Sequence, residues 1–147
     1  MSLVADLKIE VTRTAEPELR GLIACRLQEY NAPFLGDHPF GTLDVFVRRV
    51  DGELAGGLVG EFAFGWLSIH VFWLEERLRG MGIGTAVLNA AEAEAIGQGC
   101  RFAIVETMSF QAPGFYEKRG YVRVGVVDGY PGGSRKIFMR KALRPEH

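Results

Sequence analysis

The segment Arg79-Gly80-Met81-Gly82-Ile83-Gly84 joins a pattern typical of a buried strand to a pattern typical of a helix. Residues 67–74 before it are almost continuously apolar, and residues 83–95 after it carry an apolar stripe at helical spacing. A helix N-terminus presents unpaired N–H groups and the positive end of the helix dipole, and glycines let an anion approach its backbone closely. Because Arg79 adds a fixed positive charge, the segment predicts a phosphate-binding turn.

The glycine spacing narrows the kind of phosphate ligand. A Walker loop needs Gly-Lys-Ser/Thr, and the sequence contains no such triplet. The dinucleotide fingerprint G-x-G-x-x-G would require glycine at position 85, where Thr85 stands. Both observations disfavour a nucleotide-binding module. A glycine-rich turn that serves close packing alone is the structural alternative.

The segments around this turn predict one domain over residues 1–147. Alternating residues 7–11 indicate a strand, and a helix begins near Pro17 with Thr14 or Glu16 as its cap. A loop follows over residues 31–41. Helices are further predicted over 82–96 and 113–119, and strands over residues 43–50, 54–64, 66–74, 102–107, 121–127 and 136–140. The interior glycines of the 54–64 strand indicate a bulge or a close backbone approach.

Composition excludes several classes of function. The 147 residues carry 17 basic and 18 acidic side chains, and this balance disfavours nucleic acid as a partner. No apolar run reaches the roughly 18 residues that cross a bilayer, so we expect no membrane association and a cytoplasmic protein. Cys25 and Cys100 are expected to be buried, reduced thiols, and no metal site is expected.

A second stretch, about thirty residues beyond the turn, reads Ala112-Pro113-Gly114-Phe115-Tyr116-Glu117-Lys118-Arg119-Gly120-Tyr121. With it, the chain resembles the GNAT N-acetyltransferase superfamily over roughly residues 8–143. Arg79, Gly82 and Gly84 meet the signature Arg/Gln-x-x-Gly-x-Gly/Ala of that family, and the second stretch matches its Ala-x-x-Phe-Tyr-Glu-Lys-x-Gly-Phe/Tyr segment. The resemblance implies an α/β (α+β) fold, a mixed and mostly antiparallel sheet of about six to seven strands flanked by helices on both faces.

The resemblance also implies an acetyl-CoA site. The backbone of the 67–74 strand would pair with the pantetheine arm where two strands splay apart, and the turn would bind the pyrophosphate. Ser109 stands where many members have a cofactor-contacting asparagine, so its contact is the least secure of the set. The implied cofactor-binding residues are Phe72, Trp73, Leu74, Arg79, Gly80, Met81, Gly82, Ile83, Gly84, Thr85, Ser109, Phe115 and Tyr116.

For catalysis, Tyr116 matches the tyrosine that serves many members as the general acid for the leaving thiolate; its structural alternative is packing. The attacking ammonium must first lose a proton. Candidates for the base are His70, Glu61 and Glu106, and water chains replace a single base in some members. The resemblance therefore implies an N-acetyltransferase that acts on a small-molecule or peptide amine, with a non-catalytic coenzyme A-binding domain as the alternative.

The residues that bind the acceptor amine are the part of the site that the sequence determines least. Aromatic side chains near a carboxylate suit a small amine cation, and core packing or a dimer contact is an equal alternative. A homodimer is expected on the same resemblance, since dimers are common in the family. The expected pocket is lined by loop 31–41, by Phe62, Phe64 and Trp66, and by loop 128–134 with Tyr130, beside Glu61 or Asp128.

Overall fold

A computed structural model describes residues 6–143 of the chain. These residues form two compact units, which meet in sequence between Gly36 and Asp37 and are described separately. The first unit contains one helix, and the second contains a six-stranded sheet with two helices. The predicted mixed α/β fold with a mostly antiparallel sheet is confirmed.

Helix α1 spans Pro17–Leu35 in the first unit. It begins where predicted, with proline in its first turn and Glu16, not Thr14, at the N-cap position. The predicted loop over 31–41 is wrong in its first half, since the helix continues through Pro33 to Leu35 and is followed by Gly36 as the C-cap residue, whose φ is 84°. The strand predicted over 7–11 is also wrong: these residues have no regular secondary structure. Alternation alone does not make a strand, because the backbone groups also need a pairing partner.

The sheet of the second unit has the strand order β1-β2-β3-β4-β6-β5. All neighbouring strands are antiparallel except β3 and β4, which are parallel. The strands are β1 (Gly41–Arg48), β2 (Leu54–Ala63), β3 (Trp66–Leu74), β4 (Phe102–Met108), β5 (Val122–Val127) and β6 (Lys136–Ala142).

The glycines of β2 allow the close approach that the sequence predicted. A Cβ at Gly57 would lie 2.4 Å from the Val45 carbonyl oxygen, and one at Gly60 would lie 2.6 Å from the Ser68 carbonyl oxygen. The β2–β3 register shifts between Val59 and Gly60, so that His70 becomes an extra residue on β3. This β-bulge reverses which side chains of β3 face the core.

Helices α2 (Ile83–Gly97) and α3 (Pro113–Lys118) contribute to one hydrophobic core on one face of the sheet. Val87, Leu88 and Ala91 of α2 lie in this core with Tyr116 of α3 and Tyr121. The predicted apolar stripe of α2 is therefore confirmed. Cys100 is buried as expected, but the same expectation for Cys25 is wrong, because Cys25 is exposed on α1.

The opposite face of the sheet, which we call the open face because neither α2 nor α3 lies on it, carries a mixture of apolar and charged side chains. The apolar run of β3 predicted a buried strand, but the second half of β3 has exposed side chains on this face. Val71 is 56% exposed and Trp73 is 50% exposed on that face. The continuous apolar run of β3 does not distinguish these residues from Leu67 and Ile69, which lie in the core.

Candidate active site

The turn before α2 has the geometry of an anion-binding helix start. Gly80 and Gly82 have positive φ angles of 76° and 80°, which glycine adopts without strain. The first helical hydrogen bond runs from the N–H of Ala86 to the carbonyl of Gly82, 3.1 Å away. The N–H groups of residues 83–85 therefore have no acceptor within the helix. Gly82 offers no capping side chain, and the first turn of α2 carries no acidic residue.

An anionic ligand fits this turn on two counts. The N–H groups need an external acceptor, and the positive end of the α2 dipole favours a negative charge there. A carboxylate within the first turn would compete for the same groups, and none is present between Ile83 and Ala86. The positions that the family resemblance assigned to the pyrophosphate thus have the backbone geometry that a phosphate requires.

The two sequence motifs meet at Gly84. A Cβ on this glycine would lie 3.3 Å from Cε1 of Phe115 and 3.5 Å from Cδ1 of Leu74. Glycine at this position lets the Phe115 ring of α3 pack against the first turn of α2. Glycine at position 84 in the first motif therefore leaves the space that the Phe115 ring of the second motif occupies. Since Tyr116 follows Phe115, this contact also brings Tyr116 close to the phosphate turn.

Two arginines lie at this turn. The Arg79 side chain donates a hydrogen bond from Nε to the Leu74 carbonyl, 3.3 Å away, at the end of β3. Arg119 donates from Nε to the Thr85 hydroxyl at 2.9 Å, from Nη2 to the same hydroxyl, and from Nη1 to the Phe115 carbonyl at 3.3 Å. Its guanidinium also stacks 4.4 Å from the centre of the Phe115 ring. Sequence reasoning missed Arg119, although it lies within the second motif.

β3 and β4 pair over only part of their length. The parallel register runs from Trp66 opposite Phe102 to Ile69 opposite Val105 and then stops. Beyond it, the edge of β3 that faces β4 is not paired over His70 to Leu74. The predicted splay is therefore present, and Phe72, Trp73 and Leu74 lie along it.

Tyr116 is buried, with 6% of its surface exposed. Its ring makes edge-on contacts with Phe72, Phe115 and Tyr121 at centroid distances of 6.4, 5.2 and 5.6 Å. Burial raises the pKa of Tyr116 to about 12, because ionisation would leave a phenolate in an apolar environment. The phenol is therefore a hydrogen-bond donor at every physiological pH.

Tyr121, which packs against Tyr116, belongs to a buried polar cluster. Its hydroxyl donates a 2.8 Å hydrogen bond to Glu92, and Lys141 forms a 2.8 Å ion pair with the same carboxylate. Burial first, and then the Glu92 charge, raise the pKa of Tyr121 well above its ordinary value. Glu92 thus has two partners inside the core, which offsets the cost of burying its charge.

Two of the predicted base candidates lie together on the open face. Glu61 Oε1 lies 3.3 Å from His70 Nε2, and the two side chains are 61% and 48% exposed. Counting alternate residues along β3 would place His70 on the same face as Phe72 and Leu74, but the bulge at His70 reverses the facing of the residues that follow, so His70 lies on the other face. The third candidate, Glu106, forms an ion pair with Lys136 at 3.8 Å.

His70 and Glu106 are also the first residues beyond the last β3–β4 pair. The splay and the candidate bases therefore begin at the same level of the sheet. Glu106 has Lys136 as its ion-pair partner, whereas Glu61 and His70 are paired with each other.

The structure alters the expectations for Ser109 and the acceptor aromatics. Ser109 Oγ accepts a 3.0 Å hydrogen bond from the N–H of Arg135, so its hydroxyl joins two loops, and its cofactor contact stays a prediction. Phe62 packs against the core, whereas Trp66 stacks on Phe102 with Arg140 near both rings. The sheet register places Phe62 and Trp66 on opposite faces, so these two do not line one pocket.

Residues 6–143 show neither a metal-binding cluster nor a membrane-spanning helix. No group of three or more His, Cys, Asp or Glu side chains in this part of the chain is placed to hold a metal ion. No helix in the same range is both long enough and apolar enough to cross a membrane.

Comparison with known proteins agrees with this geometry. Residues 11–121 match the sequence model of the acetyltransferase (GNAT) family. The blasticidin-S acetyltransferase of Streptomyces morookaense is 42% identical over 112 residues, which cover 76% of this chain and 82% of that protein. The crystal structure of an acetyltransferase from Bacillus cereus is 31% identical with a TM-score of 0.74, over 90% of this chain and 97% of that one.

A third relative shares the fold alone. It is an acetyltransferase structure from Bacillus anthracis in complex with acetyl coenzyme A, with a TM-score of 0.60 at 18% identity. The match covers 69% of this chain and 62% of that one.

Proposed function

The chain belongs to the acetyltransferase (GNAT) family, and we propose that it transfers the acetyl group of acetyl-CoA to a primary amine of a small molecule. The observation that carries the proposal is the contact between Gly84 and Phe115, which joins the phosphate turn to the helix that holds Tyr116. If the turn served packing alone, a capping side chain could satisfy the free N–H groups at the start of α2. Instead these groups are left without a cap, close to the buried phenol of Tyr116.

Acetyl-CoA supplies an activated acetyl thioester when it is bound. The N–H groups of Gly80 to Thr85, with Arg79, bind its pyrophosphate. The unpaired edge of β3 from Phe72 to Leu74 binds the pantetheine arm by backbone hydrogen bonds. Tyr116 would donate a hydrogen bond to the sulfur as the carbon–sulfur bond breaks, and its raised pKa keeps the proton on the phenol.

On the acceptor side, the Glu61–His70 pair would bind the amine and accept its proton. An ammonium is held by the Glu61 carboxylate and loses its proton to the pair, directly or through water, before attack. The 3.3 Å separation lets His70 share that proton. Glu106, already paired with Lys136, contributes charge at the same end of β4 and is the weaker candidate.

The acceptor class is proposed from the relative with 42% identity, which is a blasticidin-S acetyltransferase. An exposed carboxylate on the open face favours a cationic acceptor, and a small-molecule amine of the antibiotic class meets that requirement. A peptide amine is the second candidate, since the same carboxylate would bind an N-terminal ammonium.

The test is to measure thiol release from acetyl-CoA in the presence of blasticidin S, an aminoglycoside, a polyamine and short peptides, each at several concentrations. Turnover with one or more small amines and none with peptides is the expected result. Acetyl-CoA binding seen by calorimetry without turnover on any acceptor would support the non-catalytic alternative. No binding of acetyl-CoA would refute the proposal as a whole.

A further inference from the structure

We propose that Arg119 is a second phosphate-binding cation of the coenzyme A site, acting beside Arg79 at the start of α2. This inference rests on the proposed function. It concerns a residue that neither family motif assigns to the cofactor, because position 119 is a variable position of the second motif.

The first observation is that Arg119 is held in place by neutral groups. Its partners are the Thr85 hydroxyl, the Phe115 carbonyl and the Phe115 ring, so its positive charge is not compensated by them. Several other arginines of residues 6–143 form ion pairs with carboxylates. These pairs are Arg26 with Glu29, Arg49 and Arg77 with Glu75, and Arg123 with Glu117. Arg79, bound to the Leu74 carbonyl, shares with Arg119 this contact to a neutral group.

The second observation is the position of the charge. Thr85 lies in the first turn of α2, whose free N–H groups are already suited to an anion. The hydrogen bonds from Nε and Nη2 to the Thr85 hydroxyl keep the Arg119 guanidinium at this turn. Each of its two terminal amino groups has two hydrogens and uses one of them in these contacts, so one N–H on each is left for a ligand.

The third step is charge balance. Coenzyme A carries a pyrophosphate and a 3′-phosphomonoester, and a phosphomonoester alone bears roughly 1.5 to 2 negative charges at pH 7. One helix N-terminus contributes about half a positive charge, and Arg79 contributes one. A second fixed cation at the same turn brings the site closer to neutrality, and Arg119 is already oriented by Thr85 and Phe115.

The experiment compares the variant Arg119→Gln with the wild type by calorimetric titration of coenzyme A and of 3′-dephospho-coenzyme A. We expect Kd for coenzyme A to rise about 10- to 100-fold, as for the loss of hydrogen bonds to a charged group. We also expect Kd to become less dependent on salt, because one screened ionic contact is gone. A loss confined to coenzyme A identifies the 3′-phosphate as the partner, and equal losses identify the pyrophosphate.

Arg123→Gln is the matched control. Arg123 is near Arg119 in sequence, but its guanidinium is exposed and paired with Glu117 at 2.9 Å, so this change should leave Kd within about twofold. Arg119→Lys keeps the charge without the planar fork and should retain part of the affinity and most of the salt dependence. It also serves as the test should Arg119→Gln not fold.

Three outcomes are decisive. An unchanged Kd in Arg119→Gln would overturn the inference. A weaker Kd with unchanged salt dependence would also overturn it, since it would mark Arg119 as a structural link between α2 and α3. If the wild type bound neither ligand, the proposed function itself would fail, and that result is distinct from the other two.

Discussion

Replacing Tyr116 with phenylalanine tests the chemical part of the proposal most directly. The change removes one hydroxyl and keeps the ring that contacts Phe72, Phe115 and Tyr121 edge-on. The phenol faces an apolar environment that raises its pKa to about 12, so in the proposed mechanism it is a neutral donor to a thiolate. A hydrogen bond to a charged group is worth about 1.5–3 kcal/mol, which predicts a fall in kcat of roughly 10- to 150-fold.

The size of the effect is limited by the same pKa. An ordinary thiol has a pKa near 8.5, so complete proton transfer from a phenol of pKa about 12 to a free thiolate is uphill by roughly 3.5 units, or about 5 kcal/mol. Tyr116 therefore acts by hydrogen bonding as the sulfur leaves, and the loss should lie near the lower end of the range known for general acids, about 10²- to 10⁴-fold.

The assay is single-turnover acetyl transfer with enzyme in excess, from pH 7 to 10, together with calorimetry of coenzyme A. We expect unchanged affinity for coenzyme A, a lower rate at every pH, and no decline in the wild-type rate that reflects ionisation of Tyr116 below pH 10. A single-turnover rate equal to that of the wild type would refute the assignment, because product release does not limit this measurement. Thermal unfolding of the variant controls for a loss of fold.

Three further predictions follow from the structure. Stability should fall above pH 10, because the pKa of both Tyr116 and Tyr121 is raised in the folded state. Between pH 10 and the raised values the native protein binds more protons than the unfolded chain does. The loss from Tyr116 alone is about 2.3 kcal/mol at pH 12 and approaches about 2.7 kcal/mol at higher pH. Urea titrations at pH 8, 10 and 11 measure this fall, and it should be smaller in Tyr121→Phe. Gly84→Val should cost roughly 1–3 kcal/mol by crowding Phe115 and Leu74, whereas Gly114→Ala, where nothing lies within 4 Å of the added Cβ, should be neutral or stabilising in the same titration. Glu61→Gln should raise KM for the amine several-fold and leave Kd for coenzyme A unchanged; a weaker coenzyme A affinity would place Glu61 on the wrong side of the reaction.

Local signals predicted the conformation of the 79–85 turn correctly because that conformation depends on neighbouring residues, whereas phosphate binding there stays a prediction. The strand, the glycines and the helix stripe from Trp66 to Ala95 lie within thirty residues, and the φ angles of Gly80 and Gly82 are those that such a turn requires. Predictions of this kind depend on the backbone preferences of a few neighbouring residues.

Arg119 could not be found in this way, because its role depends on residues distant in sequence. Its hydrogen-bond acceptor Thr85 lies 34 residues earlier. The sequence indicates only that two of the four residues before Tyr121 are basic. The tertiary contact between Gly84 and Phe115 is needed to show which of the two reaches the turn. Lys118, the residue that the family pattern specifies, is exposed.

The facing of the side chains around His70 could not be predicted for a different reason, and it bears more directly on the site. Counting alternate residues along β3 assumes a uniform register, and one extra residue moves every later side chain to the other face. The bulge does this at the level where the β3–β4 pairing ends. It turns Phe72 and Leu74 toward the core, where Phe72 contacts Tyr116 and Leu74 lies beside Gly84, and it leaves His70 beside Glu61 on the open face. A regular strand would put either the proposed base or the aromatic support of the proposed acid on the wrong side. The single inserted residue therefore accounts for the positions of the proposed acid and the proposed base on opposite faces of one sheet, with the unpaired strand edge between them.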